Sequence, residues 1–525
     1  MKRRNFLQAS AALSLPALVP ITGVRGSTSP FTSLIAPDSD RVLVIVHLFG
    51  GNDGLNTLIP LDQLKGLNEA RPSFHVQEKD TLKISDTAGL HPQMDKMKEM
   101  FKEDRLKIIQ SVGYPDHNRS HFRSTDIWTS ASKSDELRTT GWMGRYLDTI
   151  NPGYPNGYPS KSQPDPPAIS IGNTAHPTCE GININFSQTV DDPGNATELD
   201  SNTAGSVPND KYGSELDFVR TTIRQTNDYN AVIQKAYDKG SNKVTYFDKG
   251  KGTNHLAVQL EKVARLISGG LQTKVYTVYM TGFDTHAEQV GSRFSNGTHA
   301  RLLNELSEAL ASFQKDLVAL KVDDRVLGLT FSEFGRRIRD NDSRGTDHGT
   351  AAPMFLFGSC VNGGILGDNP DLSGKISQSD GVPVQFDFRD VYGSVLVDWF
   401  DVPSHSVRNL LYNQFKYMPL ASNCNEDKDD DDATQDAPTG WDIGQPYLDS
   451  SGNKVLIPIG SPANSRLRYT LFDKRGRLVL ANEIAVGGQN DYSLFRRPAR
   501  LPSGTYLLRL ATDSGTTLTR NVVFK

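Results

Sequence analysis

The stretch Arg41-Val-Leu-Val-Ile-Val-His-Leu-Phe49 leaves this chain few ways to fold. A continuous β-branched run has no polar face to turn toward water. It therefore predicts a central strand covered by helices on both sides, the usual setting of a parallel sheet. Further strands are predicted over residues 106–112, 274–280, 325–331 and 353–357. Between two of them, Leu302, Leu303, Leu306, Leu310, Phe313 and Leu317 recur at three- and four-residue spacing. That makes one apolar stripe on a helix over residues 299–320, for packing on the sheet. The alternation places residues 41–420 in the α/β class, with a mostly parallel central sheet flanked by helices.

In such sheets ligands bind beyond the carboxyl ends of the strands, and here those ends carry polar chemistry. The first strand runs into Gly50-Gly-Asn-Asp-Gly54, the 274–280 strand into Gly282-Phe-Asp-Thr-His286, and the 325–331 strand into Ser332-Glu-Phe-Gly-Arg-Arg337. The 106–112 strand leads to His117-Asn-Arg-Ser-His121, and Gly345-Thr-Asp-His-Gly349 precedes the 353–357 strand. Singly, each fragment also has a plain structural reading. Asn52-Asp53-Gly54 reads as a turn, Asp284 and Asp347 as caps, His348 as a buried histidine, and Ser120 as a helix N-cap. Jointly, the five loops meet at one rim and offer the carboxylates and imidazoles that Zn or Mn accepts. The chain has three cysteines, Cys179, Cys360 and Cys424, enough for at most one bridge and without a Cys-based zinc pattern. A metal would therefore sit on His, Asp and Glu.

The ends of the chain read differently. Lys2-Arg3-Arg4-Asn5-Phe6-Leu7, followed by an apolar stretch, predicts a twin-arginine signal peptide over residues 1–26. Export would proceed through the periplasm to the cell surface or the medium, with the twin-arginine translocase as a partner. Lys+Arg 57 against Asp+Glu 61, a formal net charge of −4, gives no basic face for nucleic acid. No apolar run reaches the roughly 18 residues that a transmembrane helix needs. Residues 151–213, rich in Pro, Gly, Asn and Ser, predict a long surface excursion. The acidic run Glu426-Asp-Lys-Asp-Asp-Asp-Asp432 marks a solvated linker over residues 421–453. Residues 454–525 alternate short β-like runs (468–473, 478–481, 504–511 and 517–524) with turns, which predicts a small β-sandwich.

Several phrases together resemble one family. Gly50-Gly-Asn-Asp-Gly-Leu-Asn56, Leu90-His-Pro92, Ser120-His-Phe122, Gly141-Trp-Met-Gly-Arg-Tyr-Leu147, Gly282-Phe-Asp-Thr-His-Ala287, Phe331-Ser-Glu-Phe-Gly-Arg-Arg337 and Gly345-Thr-Asp-His-Gly349 are similar to the bacterial domain-of-unknown-function family 1501, in order over residues 41–420. That family resembles the alkaline phosphatase and sulfatase superfamily in fold. The resemblance implies an alkaline phosphatase-like α/β domain with a site for one or two divalent ions. It implies Asp53, Asp284, His286, Asp347 and His348 as ligands, with His121, His299, Glu333 or Arg336 completing the shell. It implies Ser120 as nucleophile toward a small-molecule or glycan phosphate or sulfate ester, with Arg123, Arg336 or Arg337 clamping the oxyanion. Two departures stand out: Asp284-Thr-His286 is tighter than the superfamily's usual pair, and only His405 is available as its distal histidine. The alternative is a secreted binding or surface-assembly protein that retains the hydrolase fold without turnover. Leu471-Phe-Asp-Lys-Arg-Gly-Arg-Leu478 and Leu501-Pro-Ser-Gly-Thr-Tyr506 resemble the sorting domain of the type IX secretion system, which would be a second partner.

Overall fold

The computed structural model describes residues 40–196, 199, 206–247, 252–422, 424, 442–443, 446–448, 454–474, 477–498, 501–513 and 517–524. The expected signal peptide and most of the acidic linker lie outside the described residues.

Among the described residues, a nine-stranded sheet organises the chain up to residue 420. Its strands are β1 (Val42–Leu48), β2 (Leu106–Gly113), β3 (Ala168–Ile171), β4 (Ser187–Val190), β5 (Val275–Met280), β6 (Val326–Phe331), β7 (Ala352–Phe357), β8 (Gly364–Leu366) and β9 (Phe386–Asp387). They lie in the order β8-β2-β7-β6-β1-β5-β3-β4, with β9 paired to β2. β1 is parallel to both neighbours, with Ile45 opposite Thr277 of β5 and Leu329 of β6. β7 alone reverses, antiparallel to β6 and to β2. Because β2 is antiparallel to a reversed strand, it points the same way as β1.

All seven residues of β1 are buried, as its sequence demands. Alternate side chains feed opposite layers, because a strand's period is two. Val42, Val44, Val46 and Leu48 join helices α3 (His255–Ser268) and α4 (Thr298–Leu320) in one core. Leu43 and Ile45 join α1 (His121–Ser130) and α5 (Phe388–Phe400) in the other. The predicted leucine stripe of α4, from Leu302 to Leu317, lies wholly in the first core.

Residues 151–213 do not form a surface excursion alone. They contribute β3 and β4, which extend the main sheet to its edge, and helix α2 (Lys211–Lys239) follows directly. Strands of four residues are too short for periodicity to reveal among Pro and Gly. In the tail, two 19-residue strands, Lys454–Phe472 and Leu478–Arg496, replace the shorter ones expected, and the described residues form one six-stranded sheet. The ladder shifts register between Ser461 and Ser465, and bulges of this kind bend a strand. Val455, Ile457 and Ile459 before the shift and Leu467, Tyr469 and Leu471 after it share one core. Among the described residues no helix is long and apolar enough to cross a membrane.

Cys360 and Cys424 are joined, and Cys179 is free and buried. The bridge spans 64 residues of sequence and secures the end of the α/β domain, where Ser422 N also donates to Cys360 O. A loop of that length removes enough chain entropy from the unfolded state for about 4 kcal/mol. The double variant Cys360→Ser/Cys424→Ser should unfold about 2–4 kcal/mol more easily in a denaturant titration, and reductant should do the same to the native chain.

Candidate metal centre

Strand direction decides what gathers at the rim. β1, β2, β5 and β6 all deliver their carboxyl ends to one side of the sheet, and the reversed β7 begins there. All five loops therefore meet. Glycine permits a close approach of two of them: Gly50 has φ +120°, and a Cβ on it would sit 2.2 Å from Asp284 N. A side chain there would push the Asp284 loop outward.

Three rings converge on Asp284. Its Oδ1 lies 3.1 Å from His286 Nε2 and 3.1 Å from His348 Nε2, and those two nitrogens are 2.9 Å apart. His121 Nε2 reaches Asp284 Oδ2 at 3.4 Å. Each ring is fixed from behind through Nδ1: His121 by Glu333 Oε1 at 2.8 Å, His286 by Asp347 Oδ1 at 3.1 Å, and His348 by Arg119 O at 2.8 Å. Carboxylate and carbonyl oxygens only accept, so each neutral ring carries its proton on Nδ1 and turns the Nε2 lone pair toward Asp284. Facing lone pairs about 3 Å apart repel one another unless a proton or a cation lies between them. Ligands tetrahedrally placed about 2.0–2.1 Å from one zinc stand about 3.3 Å from each other, close to the spacing seen here. The donor set fits a divalent cation, with backing carboxylates of the kind that orient metal-binding histidines. Among the described residues, His121, Asp284 and His348 offer ligand atoms that all lie within 4.8 Å of one another.

The surrounding charges keep the acids ionised. Partial burial works to raise the Asp284 carboxyl, but Arg336 and His348 outweigh it and hold it below the usual range. Asp347 is likewise depressed, burial being overcome by His286, Asn341 and Arg337. Glu333 is buried, yet the hydrogen bond to His121 and the His47 ring 3.8 Å away hold its carboxyl far below normal, and Gly50 N donates to it at 2.8 Å. The bond to Glu333 raises His121, whereas burial lowers His348. Behind Glu333, His47 Nδ1 contacts His176 Nε2 at 3.2 Å, and burial keeps both neutral, His176 at about 3. Arg119 is lowered by burial and then by the neighbouring Arg337 charge.

Asp53, expected as the first ligand, stands apart from the cluster. Its oxygens accept from Arg71 Nη1 and Nη2 at 2.7 and 2.9 Å, and Gln289 Nε2 donates to it as well. This carboxylate is fully buried and neutralised by a two-pronged guanidinium, which leaves it no role at the rim. His299 lies one layer down, between Asn52 Oδ1 and Asn56 Nδ2, each at 2.9 Å. Burial lowers it to about 3, so it is neutral. Asp347 backs His286 and pairs with Arg337 at 3.2 Å. Ser120 is the exposed N-cap of α1 and makes no side-chain capping bond. Arg123 turns away, its Nη2 donating to the carbonyls of Lys133, Ser134 and Glu136. Arg336 is spent on four carbonyls and Asp284. His405 belongs to the short helix Ser404–Leu410. Arg71, Gln289 and His176 went unnoticed in the sequence, where nothing local marks them. His47 did carry a signal, as the one imidazole inside an apolar strand.

A family model described as "Protein of unknown function (DUF1501)" matches residues 40–399. No curated protein matches the chain. Among solved structures, the chain is similar to a protein of the alkaline phosphatase superfamily from Vibrio parahaemolyticus, at 10% identity, TM-score 0.31, covering 93% of this chain and 84% of that one. It is similar to a putative sulfatase from Bacteroides fragilis, at 10% identity, TM-score 0.29, covering 88% and 91%. It is also similar to alkaline phosphatase from the Antarctic bacterium TAB5, at 11% identity, TM-score 0.24, covering 61% and 92%. Superpositions this loose transfer neither a residue nor an activity.

The Asp53–Arg71 pair yields a sign-definite prediction. A carboxyl held below its unfolded value of about 4 contributes stability that is fully present above that pH. The contribution is lost as pH falls through the lowered folded value. Asp53→Asn leaves Arg71 buried without its partner, so it should cost about 3–5 kcal/mol at neutral pH. The penalty should shrink toward the acid limb of the unfolding curve. Bound metal per folded chain should stay unchanged, which separates a structural Asp53 from a ligating one.

Proposed function

The chain belongs to the DUF1501 family, described as proteins of unknown function, and from that premise we propose that it is an exported, metal-dependent hydrolase of phosphate or sulfate esters. The observation that carries the reading is the convergence of His121, His286 and His348 on Asp284, each ring oriented by an acceptor at Nδ1. Zn or Mn suits that donor set. One ion is favoured over two, because Asp347 is committed to His286, Asn341 and Arg337 and Asp53 to Arg71. When bound, the ion supplies Lewis-acid stabilisation of charge on the ester oxygens.

The chain's own groups supply the rest. Ser120 offers an exposed hydroxyl at the start of α1, between Arg119 and His121, both of which touch the cluster. Backbone N–H groups of the first helical turn favour an anionic group there. Glu333 and Asp347 hold the Nδ1 protons of His121 and His286 and keep both rings in register. The substrate would be a small-molecule or glycan ester.

Residues 1–26 as a twin-arginine signal, release at the cell surface or into the medium, and residues 454–525 as a type IX sorting domain belong to the same proposal. The Cys360–Cys424 bridge supports it, since disulfides persist in oxidising compartments. A second reading, a secreted binding or surface-assembly protein on the same fold, is favoured by the loss of Asp53 to Arg71.

Elemental analysis of the purified full chain should find one divalent ion per chain, with occupancy falling below about a tenth in Asp284→Ala and His348→Ala. Ser120→Ala should keep the ion and lose about a thousandfold or more in turnover of an aryl phosphate or aryl sulfate. A metal-free native protein, or undiminished turnover in Ser120→Ala, rejects the hydrolase. A retained ion without hydrolysis across both ester classes selects the binding protein.

A further inference from the structure

Four arginines surround the cluster, and counting their donors separates them. Arg336 is buried and every nitrogen of its guanidinium is committed, to Gly50, Gly51, Phe283 and Thr346 carbonyls and to Asp284. Arg123 spends Nη2 on three carbonyls of the 133–136 loop, and its Nη1 is buried without a partner. Arg336 thus has no nitrogen left for a ligand, and the Arg123 guanidinium is tied down by the 133–136 loop.

Arg119 and Arg337 differ. Both bracket His348: the Arg119 carbonyl accepts its Nδ1 proton at 2.8 Å, and Arg337 Nε donates to its carbonyl at 3.3 Å. Both side chains anchor on adjacent carbonyls of one loop, Arg119 Nη2 on Ser379 O at 2.9 Å and Arg337 Nη1 on Gln378 O at 3.4 Å. Among the described residues, the contacts of Arg119 account for Nη2 alone. Those of Arg337 account for Nε and Nη1, the latter also pairing with Asp347 at 3.2 Å. Three guanidinium nitrogens, Nε and Nη1 of Arg119 and Nη2 of Arg337, therefore remain available. Asp347 offsets part of the Arg337 charge, and the anchoring on neighbouring carbonyls places both cations in one patch. An anion there would meet two positive charges, and guanidinium forks match the paired oxygens of a tetrahedral oxyanion.

We propose that Arg119 and Arg337 form a two-armed oxyanion grip beside His348 that takes the phosphoryl or sulfuryl end of the substrate ester. The grip rests on reading the neighbouring cluster as a centre for ester chemistry. It moves the clamp from Arg336, which the fold itself consumes, and from Arg123, whose Nη2 is held by the 133–136 loop, to a residue that its position before Ser120-His121 did not single out.

The test is calorimetric titration of the full-length protein with inorganic phosphate and, separately, with inorganic sulfate. The tighter arm names the ester class. Arg119→Gln and Arg337→Gln should each weaken that arm about tenfold or more, the loss expected for a charge-assisted hydrogen bond. Arg337→Lys, which keeps the charge but not the fork, should fall between. Arg301→Gln, on the exposed face of α4, should bind as the native chain does. Among the described residues, Arg119→Gln removes one side-chain hydrogen bond, to Ser379 O, so it stays informative even where Arg337→Gln melts early. Native-like anion binding in Arg119→Gln, or no binding of either anion by the native chain at millimolar concentration, overturns the grip. Elemental analysis of the same samples keeps the two ideas apart. Anion binding that depends on both arginines in a chain without metal sinks the metal centre alone, and unaltered binding in metal-loaded variants sinks the grip alone.

Discussion

The rim hangs on the Arg336 guanidinium. It is fully buried, and it bonds at once to the carbonyls of Gly50, Gly51, Phe283 and Thr346 and to the Asp284 carboxylate. One side chain thereby ties the loop after β1, the loop after β5 and the segment leading into β7 to its own position after β6. A buried cation is tolerable only when its donors are satisfied, and here the acceptors are four backbone oxygens at the turns and one carboxylate. The same bond presents one oxygen of Asp284 to the histidines at a set place.

Above and below that tie the polar groups divide into two layers. The upper one is partly exposed and built of imidazole and carboxylate, with Nε2 atoms facing inward and Nδ1 atoms held from outside. The lower one, Asp53 with Arg71, Gln289, Asn52, Asn56 and His299, is closed, and its charged pair is matched, while Asn52 Nδ2 and Asn56 Oδ1 stay buried without partners. Each layer suits its place. Water and ligands reach the upper groups, so their lone pairs can stay uncommitted. The lower groups are buried and depend on one another and on neighbouring carbonyls and hydroxyls, and an unmatched charge among them would cost several kcal/mol. Glu333 joins the layers, since its carboxylate accepts from His121 above and from the Gly50 amide at the turn, with His47 behind.

Much of this was legible in the residues. The β1 run, the α4 leucine stripe and the five polar loops report their structure directly, because hydrophobic periodicity and turn chemistry are local. The strands at 168–171 and 187–190 were not legible, since four residues within a Pro- and Gly-rich stretch carry no period to read. The long tail hairpin was read as shorter pieces, because its bends at Ser461–Ser465 resemble strand ends.

What the sequence determined by itself was the α/β class, the single rim, and the kind of chemistry gathered there, all consequences of which residues follow which strand. What only the tertiary structure decided was the duty of each acid. Asp53 faces a guanidinium brought from 18 residues away and an amide from 236 away, whereas Asp284 faces three rings. Carboxylates are interchangeable as letters. Their roles are set by the partner across the gap, and that partner is a property of packing, absent from any local pattern.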